Sequence, residues 1–216
     1  MIELRGVKKV IGQEEILKGI DIEIKKGEFV AIIGASGSGK SSMLYIMGLL
    51  DRPTEGEVFF EEERIDFSEE EKISKIRNQK LGFVFQFHYL LPEFSLLENV
   101  MIPAIRLGMR REEARERAYE LLKRLGLAGK ENRKIYQISG GEMQRVAIAR
   151  ALINKPLVIL ADEPMHTGIV KRLCQHKPIS QTKPLPKGYK KVSGKGHISK
   201  ATYLNKGQHH NLSEEV

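Results

Sequence analysis

Residues 34–42 have the sequence GASGSGKSS and lie between two apolar segments. It fits the pattern G-x-x-x-x-G-K-[ST], in which glycines let successive backbone N–H groups point inward at a phosphate. The apolar run before it, Phe29–Ile33, predicts a buried strand, and the run after it, 42–50, predicts a helix whose N-terminus adds further donors. The sequence therefore predicts a phosphate-binding loop. The alternative is a Gly/Ser turn that only caps a helix.

The pattern also gives individual loop residues separate tasks. Lys40 would reach the β- and γ-phosphates of a nucleotide, and the hydroxyl of Ser41 would hold Mg²⁺. The residues predicted to bind the nucleotide here are Gly34, Ala35, Ser36, Gly37, Ser38, Gly39, Lys40, Ser41 and Ser42.

Length and composition restrict the classes of protein to which the chain can belong. With 216 residues, 41% of them hydrophobic, one domain or one domain with an inserted subdomain is expected. No uncharged apolar stretch approaches the roughly 18 residues of a membrane span, and the first residues do not resemble a signal peptide. Cys174 is the only cysteine, which fits a reducing compartment. A cytoplasmic location is predicted.

The net charge of +8 is confined to one end of the chain. From Met165 onward there are ten Lys and Arg against two Asp and Glu, so the first 164 residues are balanced. A neutral body without aromatic residues interleaved among basic ones argues against a nucleic-acid partner.

The periodicity of apolar residues predicts a mixed α/β fold. Strands are predicted at 2–11, 16–24, 57–60, 81–85 and 157–161, in addition to the strand before the loop. Helices are predicted at 68–78, 111–125 and 139–153, the first and last of them opened by capping boxes at Ser68 and Ser139. The helical stretch 87–155 is a candidate inserted subdomain.

Polar residues stand where two of the apolar strands end. Asp162 and Glu163 follow one strand, and Gln86 follows another. Because ligands of parallel α/β sheets sit at the carboxyl ends of strands, these side chains are expected beside the phosphate loop. Asp162 would be a metal ligand, Glu163 a base that orients or deprotonates the attacking water, and Gln86 would reach the metal or that water. Each residue alone also fits an ordinary turn or loop.

Taken together, and in their order along the chain, these motifs resemble those of the ATP-binding subunits of ABC transporters. Residues 30–42 resemble the family's Walker A region, and Gln86 resembles its Q-loop. ISGGEMQRVAIARAL (138–152) is similar to the signature helix, and LVILADEP (157–164) is similar to the Walker B strand with the catalytic glutamate. Residues 77–100 resemble, more narrowly, the lipoprotein-releasing and macrolide-exporting branch. The resemblance covers about residues 2–164.

This resemblance implies a fold and a division of the chain into domains. The fold would be that of a P-loop NTPase, with a RecA-like core, an antiparallel β subdomain and an inserted helical subdomain. The nucleotide-binding core would comprise 1–86 and 156–164, and the helical subdomain 87–155 would carry the signature motif. Residues 165–216 would be an atypical basic tail.

The resemblance also implies cofactors, partners and an activity. ATP and Mg²⁺ would be bound by a homodimer, in which each site joins the Walker motifs of one chain to Ser139, Gly140 and Gly141 of the other. The stretch after Gln86, with His88 and Tyr89, would contact integral membrane permease subunits. The protein would then be a peripheral ATPase on the cytoplasmic face of the inner membrane, and would power lipoprotein release or a related export.

Two features depart from the family pattern. Val10 stands where the family usually has an aromatic residue that stacks on adenine, so a weaker, apolar contact is expected. Beyond Pro164 only Thr167-Gly168 resembles the family pattern. His197 is a candidate for the family's switch histidine by its distance along the chain, but residues 192–196 before it do not read as a buried strand. The tail is predicted to be largely disordered; a reading-frame change, a chimera or a truncated variant would each give such a break. The second functional hypothesis is therefore a nucleotide-binding protein whose altered C-terminus impairs hydrolysis.

Overall fold

The structure is a computed structural model that describes residues 1–162 and two later strands, 190–193 and 199–203. Its strands are β1 (Ile2–Ile11), β2 (Glu14–Ile24), β3 (Phe29–Ile33), β4 (Glu55–Phe60), β5 (Glu63–Arg64), β6 (Leu81–Val84), β7 (Val158–Ala161), β8 (Lys190–Ser193) and β9 (Ser199–Tyr203). Its α-helices are α1 (Lys40–Met47), α2 (Glu70–Lys80), α3 (Leu96–Arg106), α4 (Arg111–Arg124) and α5 (Gly140–Leu152).

The described residues fall into two units, and α2 contributes residues to both. The first unit contains Met1–Ile73 with β8 and β9, and the second contains residues 74–162. The predicted division into a nucleotide-binding core and a helical subdomain stays a prediction.

An antiparallel sheet in the order β2-β1-β4-β5 forms much of the first unit. Ile2 is paired with Ile24 on one side and with Phe60 on the other. Alternate residues of these strands point to one face, as the period-two pattern predicts. The buried apolar residues of this sheet are Ile2, Leu4, Val7, Leu17, Ile20, Ile22, Val58 and Phe60. The strands predicted at 2–11, 16–24 and 57–60 are confirmed.

The strand before the phosphate loop, β3, lies in a separate three-stranded sheet in the order β3-β9-β8. It pairs antiparallel with β9, from Phe29 opposite Tyr203 to Ile33 opposite Ser199. The prediction of a buried strand is wrong at both ends, because Phe29 and Ile33 are 40% and 54% exposed. An apolar run is typical of parallel strands covered on both faces, whereas the described neighbour of β3 is antiparallel.

The helix that follows the loop, α1, begins at Lys40, two residues before the predicted start. Lys40 and Ser41 therefore belong to its first turn. Met43, Ile46 and Met47 are almost completely buried and anchor the helix in the first unit. The loop is thus held between a strand and a helix, as predicted.

The capping box predicted at Ser68 is wrong. The hydroxyl and backbone N–H of Ser68 both donate to the carboxylate of Asp66, at 2.7 and 2.9 Å, and α2 begins only at Glu70. A short polar side chain can bond locally in a turn as readily as it caps a helix. The Asp66 turn is the arrangement found here.

The second unit joins a parallel strand pair to a helical layer. β6 and β7 pair in register, with Leu81 opposite Val158 and Val84 opposite Ala161, and α3, α4 and α5 lie between them in sequence. The apolar stripe predicted for 111–125 is confirmed, since Ala114, Ala118 and Leu122 are fully buried. The buried cluster that joins the three helices contains Leu96, Leu97, Val100, Met101, Ala104, Ala114, Ala118, Leu122, Leu127, Val146, Ala149 and Ile153.

No helix within the described part of the chain is long and apolar enough to cross a membrane.

Replacing Leu122 with alanine is expected to lower the free energy of unfolding by about 2–5 kcal/mol. The side chain is completely buried among α3, α4 and α5, so its removal leaves a cavity. Urea denaturation followed by circular dichroism measures the change. The neighbouring Lys123→Ala is the control, because Lys123 is exposed and should change stability by no more than about 0.5 kcal/mol. Equal losses in the two variants would contradict the described packing.

Candidate functional site

The backbone of the phosphate loop depends on two glycines with positive φ angles. Gly37 has φ 77° and Gly39 has φ 84°, a region that other residues rarely adopt. At Gly39 the space is also closed, because a Cβ atom would lie 2.8 Å from Cδ2 of Leu17 and 3.0 Å from the backbone oxygen of Ile16. The sequence pattern therefore places glycine where conformation requires it at both positions, and where packing also requires it at Gly39.

Lys40 folds back over the loop that precedes it. Its Nζ donates to the carbonyl oxygens of Gly34 at 3.1 Å and Ala35 at 2.7 Å. These bonds hold the positive charge of Lys40 beside the first two residues of the loop. An anion there would meet the ammonium group directly.

The start of α1 offers further donors to an anion. Gly39 is the N-cap and supplies no capping side chain, and the described first turn contains no acidic residue. The nearby Oγ of Ser38 is buried, and no described residue bonds to it. Backbone N–H groups at a helix N-terminus favour an anion, and a buried hydroxyl without a described partner also suits a phosphate. The loop residues therefore fit the nucleotide predicted for them.

Gln86 and Asp162 come to the same edge of the strand pair β6–β7. Asp162 follows β7, and its backbone N–H donates to the carbonyl oxygen of Val84, the last residue of β6, at 2.9 Å. Gln86 lies two residues beyond Val84 and is exposed, while Asp162 is half-buried. Both belong to the second unit, whereas residues 34–42 belong to the first. Glu163, the predicted base, and His197 lie outside the described residues.

The capping box predicted at Ser139 is confirmed. The Oγ of Ser139 accepts from the N–H of Glu142 at 3.3 Å, and the Glu142 carboxylate accepts from the N–H and the Oγ of Ser139 at 2.8 and 2.9 Å. Gly140 and Gly141 form the first turn of α5, and a Cβ on either would meet nothing within 4 Å. This helix start is therefore fixed in conformation and open to an approaching group.

Lys130 completes this cap, and no sequence pattern predicted its part in it. Its ammonium group forms a salt bridge with Glu142, whose side chain is only 13% exposed. The salt bridge to Lys130, with the hydrogen bonds from Ser139, lowers the pKa of Glu142 from its ordinary value near 4.5 to about 2. Lys130 lies nine residues before Ser139 on a different segment, so no local pattern connects the two.

Glu142 is expected to make stability depend on pH. Its pKa is lower in the folded state, so its stabilisation is complete above the unfolded value near 4.5 and is lost as the pH falls towards about 2. The stability difference between the unmutated chain and Glu142→Gln should therefore shrink across this range. Urea midpoints measured for both proteins at several acidic pH values give this difference. A difference that stays constant would contradict the described salt bridge.

Comparison with known proteins places the chain in a family. The sequence model described as "ABC transporter" matches residues 17–166, which include the loop, Gln86, the Ser139 helix and Asp162. The chain belongs to the ABC transporter family. The predicted α/β P-loop NTPase fold and ABC-type ATPase class are confirmed.

Several curated relatives of this ABC cassette share one name. The lipoprotein-releasing system ATP-binding protein LolD of Aquifex aeolicus is 58% identical over 164 residues, which are 76% of this chain and 73% of the relative. The protein of the same name from Bacteroides thetaiotaomicron is 54% identical over 164 residues, 76% of this chain and 75% of the relative. The predicted resemblance to the lipoprotein-releasing branch is confirmed.

Solved structures support the same assignment. A dimeric bacterial ABC transporter cassette is 46% identical, has a TM-score of 0.75, and matches over 81% of this chain and 80% of its own. A dimeric cassette in a post-hydrolysis state, bound to ADP and Pi, is 47% identical with a TM-score of 0.70, over 77% and 75% of the two chains. These relatives lend no support to the hypothesis of impaired hydrolysis.

The family match ends at residue 166, close to the predicted end of the resemblance at 164.

Proposed function

We propose that this ABC cassette binds and hydrolyses Mg·ATP to power the release of lipoproteins from the inner membrane, or a closely related export. The observation that carries the proposal is the phosphate loop, where Lys40, the N-terminus of α1 and the buried Ser38 hydroxyl all suit a phosphate. The identity of 58% to the A. aeolicus LolD protein supports the narrower choice of transported substrate.

Mg²⁺ would be held by Ser41, Gln86 and Asp162. No cluster of three or more His, Cys, Asp or Glu side chains suited to a metal occurs among the described residues. A preformed cage is not needed, because Mg²⁺ is commonly bound by one or two carboxylates with phosphate oxygens and water. When bound, the ion neutralises the charge of the phosphates. The shared strand edge of Asp162 and Gln86 supports this choice of ligands.

Glu163 would act as the base. It follows Asp162 directly, so it would stand next to a metal ligand, where it can orient or deprotonate the attacking water. Gln86 would help to hold that water or the metal. The residues of this chain would therefore bind the phosphates, position the water and accept its proton.

A homodimer would complete each ATP site. Ser139, Gly140 and Gly141 would contact the γ-phosphate held by the partner subunit, through a hydroxyl and backbone N–H groups at a helix start. The open space around both glycines and the fixed conformation of Ser139 support this role. A solved relative is itself a dimeric cassette.

The segment that follows Gln86 would dock on the membrane subunits. Four of its large apolar side chains are exposed: Phe87 at 74%, Tyr89 at 59%, Leu91 at 41% and Phe94 at 40%. So many exposed apolar side chains within eight residues are typical of a protein-binding surface. We call residues 87–94 the docking segment. An integral membrane permease is the partner implied by the family, and would place the cassette on the cytoplasmic face of the inner membrane.

A photo-crosslinking amino acid at Tyr89 should capture the permease of a lipoprotein-releasing system in cells. Tyr119 is the matched control, since it is the same residue type, is 42% exposed, and lies on α4 outside the docking segment. Mass spectrometry of the adducts identifies the partner. Adducts from position 89 that contain only soluble proteins would contradict the proposed partner, and a permease of another transport class would contradict the proposed substrate.

A further inference from the structure

The docking segment begins in an unusual backbone conformation. His88 and Tyr89 have φ angles of 57° and 47°, and neither is a glycine. The left-handed region is unfavourable for such residues, and two in succession must be held by their surroundings. Tyr89 gains one such contact from its side chain, which meets the ring of Phe85 edge-on at 5.2 Å. This contact fixes the tyrosine ring but leaves both backbone carbonyl groups to be satisfied elsewhere.

Those two carbonyl groups are held by one arginine of α5. Nη1 of Arg150 donates to the carbonyl oxygen of Tyr89 at 2.6 Å, and Nη2 donates to that of His88 at 2.5 Å. Arg150 is half-buried, and burial lowers its pKa, so the two carbonyl oxygens provide acceptors for a partly desolvated charge. The pKa of His88 is lowered by its own burial and by the charge of Arg150. The planar guanidinium offers a separate nitrogen to each of the two neighbouring acceptors, whereas a lysine would have to bond both through its single Nζ.

We propose that Arg150 is a positioning residue that fixes the docking segment to the signature helix α5. The two ends of this one helix serve different contacts: Ser139, Gly140 and Gly141 stand at its start, and Arg150 stands in its last turn. A helix of 13 residues is about 20 Å long and moves as a unit. A shift of α5 caused by a nucleotide would therefore be carried by Arg150 to His88 and Tyr89, and so to the exposed side chains of the docking segment.

Hydrogen–deuterium exchange of the full chain tests this role without a partner. In Arg150→Lys the charge remains but each carbonyl loses its own donor nitrogen, so the amides of residues 87–90 should exchange about tenfold faster or more. Arg150→Met should show the same change. Arg124→Lys is the matched control, because Arg124 is an exposed arginine at the end of α4 in the same unit, and exchange at 87–90 should not change. Exchange within α3 and α4 should stay as in the unmutated chain and shows that each variant is folded.

Unchanged exchange at 87–90 in Arg150→Lys would overturn the proposal, because it would show that the paired contact is not needed. Rapid exchange of these amides in the unmutated chain would overturn it equally. If Arg150→Met fails to fold, Arg150→Lys still decides the question.

A second measurement concerns the response to a nucleotide, and this part rests on the proposed function. Adding Mg·ATP should change exchange at 87–90 in the unmutated chain and not in Arg150→Lys, while the Mg·ATP affinity of the two proteins differs by less than about threefold, since the phosphate loop is intact. An equal response in both would overturn the link to α5. An unmutated chain that does not bind Mg·ATP would instead contradict the proposed function, and the exchange without nucleotide would still test the paired contact.

Discussion

Lys40→Ala is expected to lower the affinity for Mg·ATP by about a hundredfold or more. Lys40 is the only cation in residues 34–42, and its Nζ lies beside the first two residues of the loop. Hydrogen bonds to charged groups contribute about 1.5–3 kcal/mol each, so the loss of two such bonds to phosphate oxygens is enough for this effect. Isothermal titration calorimetry with Mg·ATP measures it directly.

Two features make this experiment specific. Lys26→Ala removes an exposed lysine from the same unit and should leave the affinity unchanged. Because Lys40 bonds only to carbonyl groups of its own loop among its described partners, the variant should also remain folded, which circular dichroism can check. Equal Mg·ATP affinity in the unmutated chain and Lys40→Ala would contradict the assignment of the loop.

Glu163→Gln is expected to keep Mg·ATP binding and to slow hydrolysis about a hundredfold or more. The amide preserves the size of the side chain but cannot accept a proton, and general-base catalysis typically contributes about 10² to 10⁴ in rate. If ATP binding closes the dimer and hydrolysis reopens it, the variant should accumulate as a dimer when Mg·ATP is added. Size-exclusion chromatography with light scattering measures the mass of the species.

The control for that variant is Glu120→Gln, which alters an exposed glutamate on α4 and should behave like the unmutated chain. A Glu163→Gln protein that stays monomeric while it binds Mg·ATP would contradict the proposed closed dimer. A variant that hydrolyses ATP at the unmutated rate would remove Glu163 from the proposed mechanism.

Features set by neighbouring residues could be predicted from the sequence. The strand, loop and helix around residues 34–42 follow from an apolar run, a glycine pattern and a second apolar run. The cap of α5 follows from the spacing of Ser139 and Glu142, because the two groups meet within one helical turn. The same spacing at Ser68 gave a wrong prediction, since Asp66 offers a nearer acceptor. Local patterns are therefore reliable only where no competing local partner exists.

Contacts between distant residues could not be predicted. Lys130 meets Glu142 and Arg150 meets the carbonyl groups of His88 and Tyr89 only because the helices of the second unit pack together. The exposure of Phe29 and Ile33 in β3 likewise depends on which strands and helices lie beside them, and an apolar run alone does not specify its neighbours.

The most direct test of an ATP-hydrolysing cassette is steady-state release of phosphate from Mg·ATP by the unmutated chain, with Glu163→Gln and Lys40→Ala assayed beside it. We predict turnover by the unmutated chain that increases to saturation with Mg·ATP, and rates at least about a hundredfold lower in both variants. Phosphate release by the unmutated chain that is no faster than release by Glu163→Gln would contradict the proposed function.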